Sequence, residues 1–305
     1  MSYIDGDLSR GEAAAMTLNG KTVLVTGGTG GIGKETARGL ARLDARVVLV
    51  GRDSGRAGAA AVELQRDTGN GNVDTLTADL TRRRDLHRLA DQVTARYGSL
   101  DVLINNVGVT RERRELTEDG IETTFAANVI APYLLTHLLL PALKDVPAAR
   151  VINITGGIPR GSIDLDNLQG EKSYVGLSFY NQTKLALMAM SHTFAERLTG
   201  TGVTLNVAYP GHAYTSLNQG LTTNTYPTLA RPIVPLLRLA LPVLYGHRAV
   251  VKASTSSIYL ASSQQAQGMH HTYVNSRCQR TPWPDAVLDR RNRDTIWALC
   301  EKLAG

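Results

Sequence analysis

The segment Tyr180-Asn-Gln-Thr-Lys184 sets a phenol and an ammonium four residues apart, which places both on one face of a helix. A free phenol titrates near ~10, too weakly acidic to exchange protons readily near neutrality. A cation within ~4–6 Å favours the phenolate and can lower that value by ~1–3. The pair therefore suits proton donation to a carbonyl oxygen that is receiving hydride. Alone, the spacing is common and mostly structural, so its weight depends on what the chain brings to it.

What it brings is a glycine-rich turn, Thr26-Gly-Gly-Thr-Gly-Gly-Ile-Gly33. Glycines at Gly27, Gly31 and Gly33 permit a tight turn and close backbone approach to a pyrophosphate. A helix starting there offers free N–H groups and a positive dipole end to the anion. The turn follows an apolar β-branched run, the context that gives such a motif its meaning.

A second apolar run ends at Gly51-Arg52-Asp53. A carboxylate at that strand end would bond an adenosine ribose and select NAD. Glycine stands there instead, and the Arg52 guanidinium can pair a 2′-phosphate, which favours NADP(H). Asp53 lies 20 residues past Gly33, near acidic ribose spacing, and keeps NAD(H) open; a solvated loop arginine is the other reading of Arg52. Asp79-Leu80 and Asn105-Asn106-Val107-Gly108 follow two further runs, at strand ends where open α/β sheets bind ligands. Asp79 suits either an adenine amino group or the start of the helix near Thr81.

These positions require a scaffold of alternating strands and helices. Strands are predicted at 22–26, 47–50, 73–77, 102–104, 151–154, 203–208 and 271–274. Helices are predicted at 34–43, 56–68, 82–97, 121–143 and 180–198. Repeated βαβ units with right-handed crossovers give a single-domain Rossmann fold, an α/β doubly wound parallel sheet of about seven strands. Residues 1–17 read as a flexible extension without signal-peptide character, and 18–305 as the domain.

The chain has 305 residues, 43% hydrophobic, 20% charged and 5% aromatic, which excludes disorder and suits a core of aliphatic side chains. Its net charge of +6 is scattered: the arginine runs at 82–84 and 111–114 are interleaved with acids and lack the aromatics that stack bases. No nucleic-acid partner is expected. Cys278 and Cys300 have no metal-ligand spacing, so no metal is expected, and a reducing cytoplasm fits. The apolar stretch 232–245 contains Arg238 and two internal prolines and is too short for a membrane span. It reads as a substrate lid or as buried irregular helix.

Taken together, T-G-x-x-x-G-x-G, Asp79-Leu80, Asn-Asn-x-Gly and Tyr-x-x-x-Lys occur in the order found in short-chain dehydrogenases/reductases, which this chain resembles. Similarity to the retinol-dehydrogenase-like branch rests on E-D-G-I-E-T-T-F-A-A-N (118–128), L-L-T-H-L-L-L (134–140), E-K-S-Y (171–174), T-K-L-A (183–186) and E-R-L-T-G-T-G-V-T (196–204), and runs from about 21 to 303. The resemblance implies Tyr180 as general acid/base, Lys184 as ribose ligand and modulator of the phenol, and Asn128 as holder of a relay water. It implies cofactor contacts from Gly27, Thr29, Gly31, Ile32, Gly33, Arg52, Asp79, Leu80, Asn106, Val107, Gly108 and Ile154. Pro210, Gly211, Ala213 and Thr215 would sit at the nicotinamide end. It further implies a substrate lid at 216–248, whose apolarity suits a bulky hydrophobic ketone or alcohol, and a homodimer or homotetramer.

One departure stands out. The family's catalytic serine follows the fifth strand, where this chain reads Arg150-Val-Ile-Asn-Ile-Thr155-Gly156-Gly157, with Gly156 at the serine position. Loss of one such hydrogen-bond donor costs ~10²–10³ in rate in acyl-transfer sites. Thr155 points to the opposite side of an extended strand; Ser162, a substrate hydroxyl or a water are the candidate substitutes. The departure leaves two alternatives to redox catalysis: non-redox chemistry on the same fold, and cofactor binding with little catalysis.

Overall fold

Seven short strands rich in valine, leucine and isoleucine pair into one parallel sheet, in a computed structural model that describes residues 17–156, 160–213, 215, 221–235 and 246–305. The predicted extension 1–17 thus lies, apart from Thr17, outside the described residues, as do parts of the predicted lid. In chain order the strands are β1 (Thr22–Thr26), β2 (Arg46–Gly51), β3 (Val73–Thr77), β4 (Val102–Asn105), β5 (Arg150–Ile154), β6 (Thr204–Ala208) and β7 (Thr272–Val274). Their spatial order is β3-β2-β1-β4-β5-β6-β7, every pair parallel. This is the doubly wound Rossmann arrangement: the order reverses at β1, and every crossover brings the chain back to the same sheet edge.

The longer helices are α1 (Gly31–Ala41), α2 (Ser54–Thr68), α3 (Arg83–Tyr97), α4 (Thr123–Lys144), α5 (Gly176–Leu198), α6 (His247–Ser262) and α7 (Arg290–Ala304). They cover both faces of the sheet, so two cores form. One holds β1, β2 and β5 side chains with α1, α2 and α6, including Val23, Leu40, Leu64 and Leu260. The other holds the opposite strand faces with α3, α4, α5 and α7, including Leu24, Leu89, Leu135 and Met188. Strands buried on both sides have no polar face to alternate, which is why β1 is apolar or threonine throughout and fully buried.

The predicted elements recur with shifted ends. Helix α1 begins three residues earlier than expected, because Gly31 and Ile32 already belong to it, and α5 begins at Gly176 rather than Tyr180. The helix expected at 121–143 contains a π turn at Ala126–Ile130. Strand β7 starts one residue late because His271 adopts a left-handed φ of 55°. Helices α6 and α7 had no counterpart in the sequence reading.

Helix α4 is the one segment among the described residues long and apolar enough to cross a membrane, with a mean hydropathy of 1.5. Its window is 78% buried inside the protein, which identifies it as a core helix. The arginine runs pair with local acids: Arg83 with Asp119 at 3.2 Å, Arg84 with Glu118 at 3.1 Å and Arg111 with Glu115 at 3.1 Å.

Helices α1 and α6 approach so closely that a Cβ at Gly39 would collide with Cδ1 of Ile258, whereas Gly58 on α2 faces open space. Gly39→Val should therefore lower stability by ~1–3 kcal/mol through overpacking. Gly58→Ala should raise it by ~0.5–1 kcal/mol through helix propensity alone. Urea denaturation of the two variants checks the opposite signs.

Candidate active site

Because the sheet is parallel, every strand ends on the same edge, and the residues just past those ends line a cavity of about 840 Å³. That volume lies in the ~300–1,000 Å³ range of small-molecule sites. Following the sheet order, Asp79 and Leu80 come after β3, Arg52 after β2, the glycine turn after β1, Asn106, Val107 and Gly108 after β4, Ile154 and Gly156 after β5, and Pro210, Gly211, Ala213 and Thr215 after β6. Tyr180 and Lys184 face it from α5.

The glycine turn is shaped by contacts that only glycine allows. Gly27 and Gly31 hold φ of 64° and 53°, and a Cβ at Gly31 would stand 3.3 Å from Thr215 Cγ2. The turn is tied to β4 by Asn106, whose backbone N–H donates to Thr26 Oγ1 at 2.9 Å and whose amide donates to the Thr26 carbonyl at 3.1 Å. Asn106 thus positions the turn. Gly33 does not line the cavity: a Cβ there would strike the Asn106 amide and the Gly27 carbonyl, so this glycine serves packing beneath the turn.

Helix α1 begins at this turn with Gly30 as its N-cap and no side chain capping its first N–H groups. Those donors and the positive helix end face a cavity lined by backbone, a cradle that fits a dinucleotide pyrophosphate.

At the adenosine end the carboxylates are already engaged. Asp53 caps α2, accepting from the Arg56 N–H at 2.7 Å. Asp79 Oδ1 accepts from the Thr81 N–H at 3.0 Å and hydroxyl at 2.8 Å, so it fills the helix-start role. Burial pushes the Asp79 carboxyl up, but the Thr81 bonds and the nearby Arg52 and Arg82 outweigh it and hold its pKa below the ordinary value. Two arginines, Arg52 and Arg56, line this end, and neither has an ion-pair partner among the described residues. Gly51 is fixed by sterics: a Cβ there would stand 2.5 Å from Thr29 Cγ2, so an acidic side chain cannot occupy that strand end while Thr29 keeps its place.

At the reacting end, Tyr180 is 8% exposed and Lys184 3%. Lys184 Nζ donates to the Ile154 carbonyl at 3.2 Å and the Val107 carbonyl at 3.4 Å, and lies 5.8 Å from the centre of the Tyr180 ring. The sequence reading expected the ammonium to pull the phenol down. Instead burial, with Tyr209 adding to it, pushes the Tyr180 phenol above its ordinary value, and burial lowers Lys184 to about 7. Desolvation penalises both charged forms. The phenol stays protonated near neutrality, the state of a proton donor.

Asn128 sits in the π turn of α4, fully buried and outside the cavity lining. Its amide is spent: Oδ1 accepts from the Val109 N–H at 2.8 Å, while Nδ2 donates to the Val109 carbonyl at 3.0 Å and the Thr183 hydroxyl at 2.9 Å. The side chain clamps the loop after β4 to α5.

Gly156 lines the cavity beside Tyr180, and a Cβ there would stand 2.8 Å from the phenol oxygen. The hydroxyl of Tyr180 therefore occupies the space in front of position 156. Ser162 is exposed and does not line the cavity, and the Thr155 hydroxyl is buried without a hydrogen-bond partner. Ser162 therefore does not take the place of a serine at 156, whereas Thr155 does line the cavity.

Among the cavity residues absent from the sequence reading are Arg56, Leu177, Asn181 and Leu221. Leu177 and Asn181 were recoverable, since 177, 180, 181 and 184 form an i, i+3, i+4, i+7 stripe on α5. Leu221 opens the described part of the predicted lid. That part is anchored by Thr222 and Asn224, which donate to Glu112 at 2.5 and 3.1 Å.

Comparison with known proteins agrees with this geometry. The family model described as short chain dehydrogenase matches residues 21–225. The chain is a short-chain dehydrogenase/reductase. It is 32% identical to human retinol dehydrogenase 14 over 302 residues, covering 94% of this chain and 87% of that one. It is 33% identical to human retinol dehydrogenase 13 over 307 residues, covering 99% and 89%. A crystal structure of a putative uncharacterized protein from Mycobacterium paratuberculosis superposes with a TM-score of 0.74 at 26% identity, covering 96% of each chain. This short-chain dehydrogenase/reductase is thus an oxidoreductase of retinol-dehydrogenase-like type, from a family that binds NAD(P).

Two outcomes follow from the reacting end. Gly156→Ala must displace the Tyr180 hydroxyl, and misplacement of that order costs up to ~10²-fold; kcat should fall at least ~tenfold while cofactor affinity measured by fluorescence titration holds. Lys184 sits below its ordinary 10.5 in the fold, so the unfolded chain binds more protons between about 7 and 10.5. Stability measured without cofactor should therefore rise with pH across that window. Melting curves of Lys184→Met should lack this rise.

Proposed function

We propose that the protein is an NADP(H)-dependent reductase or dehydrogenase of a bulky hydrophobic carbonyl or alcohol. The observation that carries this reading is one cavity whose lining runs from two arginines without an ion pair among the described residues, across the glycine cradle, to the protonated phenol of Tyr180. NADPH, when bound, supplies the hydride.

The residues of this chain do the rest. Arg52 and Arg56 pair the 2′-phosphate, and the capped Asp53 does not compete for the ribose. Lys184, anchored on the Ile154 and Val107 carbonyls beside the Tyr180 ring, would hold the nicotinamide ribose of a bound cofactor. In the reductive direction the Tyr180 O–H bond breaks as its proton passes to the substrate oxygen, where a new O–H bond forms. With Gly156 offering no hydroxyl, the phenol carries the carbonyl's hydrogen bond itself. Buried Leu221 and part-buried Leu177 give the substrate side an apolar wall.

The test is nicotinamide absorbance with hydrophobic carbonyl compounds such as retinal, an aldehyde, and aryl ketones. Turnover should be lost in Tyr180→Phe with cofactor binding retained. Arg52→Ala and Arg56→Ala should each raise KM for NADPH ~10–100-fold, the worth of a charge-assisted bond, and leave NADH within a few-fold. Product formed without any change in the nicotinamide would replace this reading with non-redox chemistry on the same fold.

A further inference from the structure

The far half of α5 carries a second cluster that the cavity does not use. His192 and Glu196, four residues apart, share one helix face. His271, just before β7, brings its ring edge-on to that of His192 with centroids 3.9 Å apart, and Trp283 packs against both rings. Ligand-capable atoms of His192, Glu196 and His271 lie within 4.8 Å of one another. His271 is held in a left-handed conformation, uncommon for a residue other than glycine.

Arg293 of α7 reaches the same point. Its Nη1 donates to Glu196 Oε1 at 2.8 Å and lies 2.7 Å from His192 Nδ1. A guanidinium has no acceptor, so His192 Nδ1 presents a lone pair to it. The cluster is nonetheless incompletely satisfied. His271 Nε2 and Arg293 Nε are both buried without a hydrogen-bond partner. Buried unpaired polar atoms are rare in folded proteins, and a bound ion is one physical cause of them.

We infer that His192, Glu196 and His271 form a zinc-type divalent-metal site in which the Arg293 guanidinium is a tethered competitor. Two imidazoles and a carboxylate are a ligand set suited to zinc. Arg293 Nη1 engages the same two acceptors a metal would take, so the arginine-in and metal-in arrangements exclude each other. A dication would also supply what the arginine does not, a partner for the imidazole of His271. A bound metal would fasten α5 to the start of β7 and release Arg293, and with it the α5–α7 contact made through Glu196.

Zinc titration of the chelator-treated full-length chain by calorimetry, paired with thermal melts, tests this. The wild type should bind one equivalent and melt higher with zinc. His271→Asn, chosen because asparagine tolerates the left-handed backbone, should lose that binding while keeping the melting behaviour of the metal-free protein. Arg293→Ala, which removes the competitor, should bind ~10–100-fold more tightly. Absence of saturable zinc binding in the wild type, or binding unchanged by His271→Asn, overturns the assignment.

Discussion

The parallel pairing of seven strands imposes a single constraint from which the site follows: all strand ends that leave the sheet toward the cavity do so on one edge. Ligand contacts separated by more than 180 residues in the chain, from Gly27 to Thr215, become neighbours without any long loop having to carry them. Orienting that edge falls to a few buried polar contacts. Asn106 ties the glycine turn of β1 to the end of β4, and Asn105 donates to Asn153 on β5 at 2.8 Å. Asn153 in turn donates to Ser191 on α5 at 2.8 Å. A chain of amides thus runs across two strands to the helix that presents Tyr180 and Lys184. Buried amides of this kind are costly unless all are paired, so they admit one relative placement of β4, β5 and α5.

Desolvation sets the chemistry of that placement. Both Tyr180 and Lys184 are pushed toward their neutral forms, which a rule based on charge pairing alone would miss. The same crowding explains why Gly156 matters as more than an absent hydroxyl. The phenol oxygen is close enough to position 156 that a side chain there would compete with it for space. A glycine at a serine position is thus coherent with where the tyrosine stands, and both belong to one local solution.

Much of this was legible in the sequence. The seven apolar runs, the glycine turn and the tyrosine–lysine pair each carry a short-range signal, periodicity or spacing, and each recurs in the structure within a few residues. What was not legible depends on distant partners. Asp53 and Asp79 look like ligands by position and both line the cavity, but Oδ1 of each also accepts from the Arg56 or Thr81 backbone N–H near the starts of α2 and α3. The clamp that Asn128 makes on the loop at Val109 likewise depends on how that loop folds over it. Helix α6 was missed because its buried face is largely built of Ala253, Ser254, Ser256 and Ser257, small residues that carry little hydrophobic periodicity.

Helix α5 connects the two chemical regions of the molecule. Its first half faces the cavity through Leu177, Tyr180, Asn181 and Lys184, and its second half faces the histidine cluster through His192 and Glu196. Between them lies an uninterrupted run from Thr183 to Ala195 that is buried on every side. A helix buried all round has no solvent face along which to bend, and its packing against both β6 and α7 resists sliding. Any ion or arginine that grips its far end therefore acts on the same rigid body that carries the proton donor. The distance between the regions separates their chemistry, while the helix makes their positions interdependent.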